Sequence, residues 1–238
     1  MTPGRRDGRA AKTGAVSRAS SSAVRPQLRR PGTVLGPRAA ATIAKILDAT
    51  RQIFLVRGYA GTTVDEITKV AGVSRGSFYT YFPSKRDVLL VLGGNSLRAA
   101  DQLIKALQEF PPDWTAADLE QWVAGFFELL DEHGSFSFAW TQAAHEDPEV
   151  RRAGMVGHLE LCRNLGSALA ALGSAPVDDP TELGLAVFSM IERAWAYAEL
   201  YRGALPTDSL VRALTRMIPG AAPRRPSDRT RPRGQPVP

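Results

Sequence analysis

GVSRGSFYTYFPSKRDVLL, residues 72–90, is the stretch whose reading decides the fold. Gly72 tolerates the left-handed backbone that closes a preceding helix. Ser74 is a strong N-cap, so a new helix begins at Arg75. Pro83 disfavours the α conformation at Phe82 and limits that helix to about two turns. Phe78 and Phe82 lie four apart and share one face. Arg75, Gly76, Ser77, Tyr79, Thr80 and Tyr81 cover the rest of the surface. One apolar stripe opposite guanidinium, hydroxyl and phenol groups suits contact with phosphates and base edges.

Working outward, Thr63-Val64-Asp65-Glu66 is a capping box that opens a helix over 64–71, with Ile67, Val70 and Ala71 on its apolar face. Two short helices joined by a glycine-containing turn form a helix-turn-helix. Before them, Ile43, Ile46, Leu47, Ile53 and Phe54 recur at helical spacing between Ala39 and Arg57, and Gly58-Tyr59 follows. After them, Ser84 to Asp87 is an S-x-x-D start for a long helix reaching about Phe110. Gly93-Gly94 is its possible weak point and Pro111-Pro112 its end.

The remainder also reads as helix. A second capping box, Thr115 to Asp118, opens a helix to His133. Aromatic residues and His145 fill 135–146, and Pro148 suits the first turn of a helix reaching Leu172. Two more helices span 181–202 and 207–218. No alternating strand pattern occurs, so the expected fold class is all-α: a three-helix module containing the helix-turn-helix, residues 38–83, and a larger helical domain, residues 84–218. The flanks, 1–37 and 219–238, are rich in Arg, Pro, Gly and Ser and read as a disordered basic arm and a disordered Pro/Arg tail.

Charge is segregated along the chain. The net charge is +7 over 1–37, +4 over 38–93, −9 over 94–218 and +4 over 219–238, which together make the +6 of the whole. A basic helix-turn-helix joined to an acidic remainder favours a nucleic-acid module attached to a domain that stays off nucleic acid. The one cysteine, Cys162, excludes an internal disulfide framework and suits a reducing cytoplasm. There is no apolar run of about 18 residues, so no membrane partner is expected. No Gly-rich phosphate loop, Ser/His/Asp constellation or metal-ligand spacing is present. Neither enzymatic activity, metal nor cofactor is expected, and His158 with Cys162 is only a weak pair.

The N-terminal third resembles the TetR family of bacterial transcriptional regulators. The resemblance rests on Gly58-Tyr59, Thr62-Thr63-Val64, Ile67, Ala71 through Ser74, Gly76, Phe78-Tyr79, Tyr81-Phe82 and Ser84-Lys85, and covers roughly residues 40–92. It implies a homodimeric, cytoplasmic, sequence-specific transcriptional regulator, most often a repressor, that binds a palindromic operator through the DNA-binding module 38–83 and is released by a small apolar ligand bound in an effector-binding and dimerisation domain, 84–218. Arg75 at the first position of the recognition helix is placed to read a base or a phosphate, and Gly76 and Ser77 lie beside it. The resemblance assigns phosphate contacts to Tyr79, Thr80, Tyr81 and Lys85. Lys85 also stands in the first turn of a helix, a poor place for a cation, which suggests an outside partner. Thr62 and Thr63 can reach phosphate at the start of the second helix, although capping alone accounts for Thr63.

In the larger domain, Trp122, Phe126, Phe127, Phe136, Phe138 and Trp140 are candidate walls of an effector pocket, with His133 and His145 as polar contacts. Leu165, Leu169, Phe188, Ile191 and Trp195, on the helices 148–172 and 181–202, are the expected dimer surface. Small residues such as Gly166 allow close packing there. Twofold pairing would present two recognition helices to one site.

Overall fold

The structure, a computed structural model, describes residues 36–173 and 178–218. The expected basic arm, except its last two residues, and the expected tail from residue 219 lie outside the described residues. Among the described residues there are nine helices and no strand. They are α1 (Pro37–Arg57), α2 (Val64–Ala71), α3 (Arg75–Tyr81), α4 (Lys85–Gln108), α5 (Ala116–His133), α6 (Ser135–Glu146), α7 (Pro148–Leu172), α8 (Pro180–Leu200) and α9 (Thr207–Met217). None is long and apolar enough to cross a membrane.

Local chemistry sets most of the boundaries. Both capping boxes form: Thr63 and Thr115 each accept from a backbone N–H three residues on, and Glu66 and Asp118 reach back. Gly72 takes the left-handed backbone, φ 65° and ψ 36°, and the Val73 N–H donates to the Thr68 carbonyl at 3.0 Å. At Ser84 the hydroxyl donates to Asp87 Oδ2 at 2.6 Å, so this S-x-x-D start closes between side chains and caps no backbone N–H. The Asp147 carboxylate caps α7, accepting from the N–H groups of Glu149 and Val150. Those bonds hold its pKa below the usual carboxylate range.

Gly93-Gly94 does not interrupt α4. The Phe136 ring of α6 lies against Gly93, where a Cβ would overlap it. Gly134 closes α5 and leads directly into α6: it keeps right-handed helical angles, and the Trp195 indole covers it.

Two apolar cores result. The N-terminal core joins Ile46, Phe54, Ile67, Phe78 and Phe82 with Val88, Leu89 and Leu92 of α4, Ala139 and Ala143 of α6, and Val150 of α7. Packing is therefore continuous across residue 84. The second core is built on Leu107, Leu119, Trp122, Phe126, Leu165, Ile191, Trp195 and Leu214. Within it α7 and α8 touch backbone to backbone. A Cβ on Gly166 would strike the Pro180 carbonyl, and one on Gly184 the Cys162 carbonyl. Burial there pushes the Cys162 thiol up to about 11, which keeps it protonated.

Polar contacts fasten the α6–α7 corner to the helix-turn-helix. Gln142 Oε1 accepts from the backbone N–H of Tyr59 at 2.7 Å and of Ala60 at 3.4 Å. Arg86 donates to Asp147 at 3.3 Å and to Glu149 at 2.8 Å.

Candidate nucleic-acid interface and effector cavity

Ser74 Oγ accepts from the Ser77 N–H at 3.1 Å and starts α3. Phe78 and Phe82 are fully buried and pin the helix down, so its remaining side chains face outward. Arg75, Gly76 and Thr80 are exposed, while Ser77, Tyr79 and Tyr81 are partly so. The Arg75 guanidinium is ion-paired with Asp65 of α2 and donates to Tyr79 Oη at 3.3 Å. It also lies 5.7 Å from the Tyr79 ring centre. Asp65, first by hydrogen bond and then by charge, raises the Arg75 pKa. A Cβ on Gly76 would meet only Ser74 Oγ, at 3.9 Å, so nothing inside the protein requires glycine there. The open surface it leaves admits the close approach of an outside group. Thr80 donates its hydroxyl to the Gly76 carbonyl at 2.9 Å and keeps its lone pairs outward.

Three sequence-predicted residues behave differently. Thr62 is 1% exposed and its hydroxyl donates to the Gly58 carbonyl at 2.6 Å, which takes it away from the surface. Thr63 is exposed, but its hydroxyl is engaged with Glu66 on both sides of the capping box. The Glu66 carboxyl is held below its ordinary pKa, mainly by the Thr63 N–H. Lys85 Nζ donates to the carbonyls of Tyr59 at 2.7 Å and Thr62 at 2.8 Å, and stands 4.3 Å from the Tyr59 ring centre. Its half-buried ammonium has a lowered pKa through desolvation. The partner that offsets the unfavourable helix-start position of Lys85 is the loop of its own chain.

A cavity of about 150 Å³ lies in the larger domain, walled by α4 to α8. Leu97 and Ala100 come from α4, Leu130 and His133 from α5, Phe136 and Trp140 from α6, His158 and Leu161 from α7, and Phe188 and Glu192 from α8. Of the pocket residues expected from sequence, His133, Phe136 and Trp140 are there. Trp122, Phe126 and Phe127 are buried in the second core, and Trp122 Nε1 donates to the Leu103 carbonyl at 2.9 Å. Phe138 packs on Trp195 with ring centres 6.0 Å apart. His145 is exposed near the end of α6.

His158 is the residue sequence reasoning missed. Gly154, His158 and Leu161 line the cavity from one face of α7, and a small and a polar residue in an apolar stripe was the available signal. His158 Nε2 and Trp140 Nε1 are both buried without a hydrogen-bond partner in the protein. Burial lowers the pKa of His158, partly offset by Glu192, and that of His133, so both are neutral near pH 7. Glu192 accepts from Ser137 Oγ at 2.6 Å. No group of side chains suited to a metal ion occurs among the described residues.

The expected dimer residues face inward. Leu165, Leu169, Ile191 and Trp195 are buried within the protomer, and Phe188 is partly buried at the cavity. Trp195 also donates to Asp131 Oδ1 at 2.7 Å. They serve the α7–α8 packing of one chain, so they are corrected as an intersubunit set. The apolar residues left outside on these helices are Met155, Val156 and Leu159 of α7 and Leu185, Tyr197 and Leu200 of α8.

Comparison with known proteins agrees with the local geometry. Residues 46–92 match the family model for bacterial regulatory proteins, tetR family. The HTH-type transcriptional regulator EthR of Mycolicibacterium smegmatis is 33% identical over 109 residues, 45% of this chain and 50% of the relative. The chain thus spans about half the length of the curated relatives it matches. Solved structures share the fold along nearly their whole length. The TetR family regulator PfmR from Thermus thermophilus has TM-score 0.59 and 21% identity, covering 73% of this chain and 96% of that one. FadR from Bacillus subtilis, solved in complex with stearoyl-CoA, has TM-score 0.58 and 18% identity, covering 75% and 98%. Residues 46–92 thus form a module of the kind that the tetR family of bacterial regulatory proteins carries.

Proposed function

We propose that the protein is a sequence-specific DNA-binding transcriptional repressor that acts as a homodimer on a palindromic operator and is released by a small ligand. The observation that carries this reading is α3. Two buried phenylalanines anchor it, while Arg75, Gly76, Ser77, Tyr79, Thr80 and Tyr81 remain outside. Arg75 and Ser77 face the major groove, and Tyr79, Thr80, Tyr81 and the exposed capping turn at Thr63 meet the flanking phosphates. Thr62 and Lys85 act indirectly, by shaping the 58–63 loop that leads into α2.

Ligand control follows from shared helices. The walls contributed by α4 and α6 continue into Val88, Leu89, Leu92, Ala139 and Ala143 of the N-terminal core. A ligand that binds one arrangement of these helices better shifts the population and re-aims α3. That a structural relative was solved with stearoyl-CoA supports a small-molecule response. The exposed Val156, Leu159, Leu185 and Tyr197 belong to the same pair of helices and supply the dimer contact. The test is footprinting of the full chain on the DNA upstream of its own gene, together with sedimentation of the free protein. A protected twofold-symmetric site and a dimer are expected. A featureless footprint or a monomer bound to DNA overturns the reading.

A further inference from the structure

The loop between α1 and α2 is held from two sides by the larger domain. Lys85, at the start of α4, takes two of its carbonyls, those of Tyr59 and Thr62. Gln142 of α6 takes two of its N–H groups: Oε1 accepts from Tyr59 at 2.7 Å and from Ala60 at 3.4 Å. These are the first donors after the Gly58 N–H, which closes α1 on the Phe54 carbonyl. A Cβ on Gly58 would overlap the Gln142 amide, so side chain and loop are in direct contact. Among the described residues, Gln142 is the one side chain beyond α4 that hydrogen-bonds to residues 36–83.

Helix α6 presents a different face to each neighbour. Phe136, Ser137, Trp140 and Thr141 line the cavity. Ala139 and Ala143, four apart, are buried in the N-terminal core. Gln142 follows Thr141 directly and reaches the loop. Apolar packing through two alanines is non-directional and permits sliding. The Gln142 bonds do not. Helix shifts in switching proteins are about 1–2 Å, and an N–H···O contact stretched beyond about 3.5 Å is lost. Displacement of α6 by that amount releases Ala60 first and then Tyr59.

We infer that Gln142 is a positioning residue: it fixes the angle at which the helix-turn-helix sits on the larger domain, and so the separation of the two α3 helices in a dimer. The inference rests on the reading of the protein as a dimeric DNA-binding regulator. Gln142 acts through the 58–62 loop, which leads by way of Thr63 into α2. Its side chain is exposed, so water replaces the lost bonds and the loop loosens without unfolding.

The test compares the native chain with Gln142→Met and Gln142→Glu. Methionine keeps the length of the stem and removes the acceptor, whereas glutamate retains it. Gel shifts measure binding to the operator defined by footprinting, to that operator with one base pair inserted between its half-sites, and to a single half-site. One base pair changes the separation by about 3.4 Å and turns one half-site by about 35°. The native chain prefers its natural spacing. Gln142→Met narrows that preference by about threefold or more, because the angle is then fixed only on binding. It binds the lone half-site as the native chain does, and Gln142→Glu restores the preference. An unchanged preference in Gln142→Met, an equal loss on half-site and operator, or no recovery in Gln142→Glu overturns the inference. Hydrogen exchange at the Tyr59 and Ala60 amides gives a readout independent of DNA. Both exchange about threefold faster or more in Gln142→Met, and unchanged rates overturn the inference. If the native chain forms no specific complex, the DNA-binding reading fails by itself, and the exchange rates still decide for or against the Gln142 clamp.

Discussion

Lys85→Met separates a loop anchor from a phosphate contact. In the structure the ammonium donates to two backbone carbonyls at 2.7 and 2.8 Å and faces the Tyr59 ring. Hydrogen bonds from charged donors contribute about 1.5–3 kcal/mol each at well-buried sites, and an exposed cation–π contact about 0.5–1 kcal/mol. Lys85 is only half-buried and its pKa is depressed by desolvation, so much of that gain offsets the loss of hydration. A net loss of about 2 kcal/mol follows, because methionine keeps the packing of the stem. For a chain of this size that lowers Tm by about 4–8 °C. The assay pairs thermal unfolding with DNA titrations over a range of salt. The anchor predicts a lower Tm and an unchanged slope of log affinity against log salt. An unchanged Tm with a slope reduced by about 0.9, the signature of one lost phosphate contact, refutes it.

Three further outcomes follow. Asp65→Asn frees Arg75 from its ion pair and removes a negative charge beside the phosphates; affinity for DNA rises roughly two- to fivefold at low salt. Gel shifts check this, and weaker binding contradicts it. Gly166→Ala forces a Cβ onto the Pro180 carbonyl, a backbone group that cannot swing aside, and costs about 2 kcal/mol or more in urea unfolding. A neutral result would show that α7 and α8 separate easily. His133 and His158 both have folded pKa values below the unfolded value of about 6.5, so the unfolded chain protonates first and stability falls as pH drops below about 6.5. Near His158 stands Glu192, and near His133 stand Glu132 and Arg51. The capping carboxylates titrate lower still, so urea unfolding at pH 7.5 and 5.5 isolates the histidines. His158→Leu flattens the dependence, and greater stability at pH 5.5 would contradict it.

The helix-turn-helix was legible because its signals are local. Thr63 with Glu66, Gly72, Ser74 and Pro83 each act within four residues, and the structure places every boundary where they do. Faces and partners were not legible. Helix α7 carries apolar residues on two sides: Leu161, Leu165 and Leu169 turn inward, and Met155, Val156 and Leu159 turn outward. Periodicity identifies such faces without saying which one meets the same chain. Gly166 was read as permitting close packing between subunits, and the close partner is Gly184 of its own chain. The aromatic stripe of α5 fills the core, whereas the cavity lies where five helices leave space, an arrangement no local pattern encodes. Lys85 carries the same lesson: its awkward position indicated a partner, and that partner lay 23 and 26 residues upstream.

The most direct test of the account is a gel shift of the full chain and of Arg75→Ala against the DNA upstream of its gene, at two salt concentrations with unrelated competitor. The account predicts a salt-sensitive complex that survives competitor for the native chain. It predicts loss of that complex in Arg75→Ala, with folding and dimer unchanged. A native complex that competitor abolishes, or one indifferent to Arg75, would contradict sequence-specific recognition through α3.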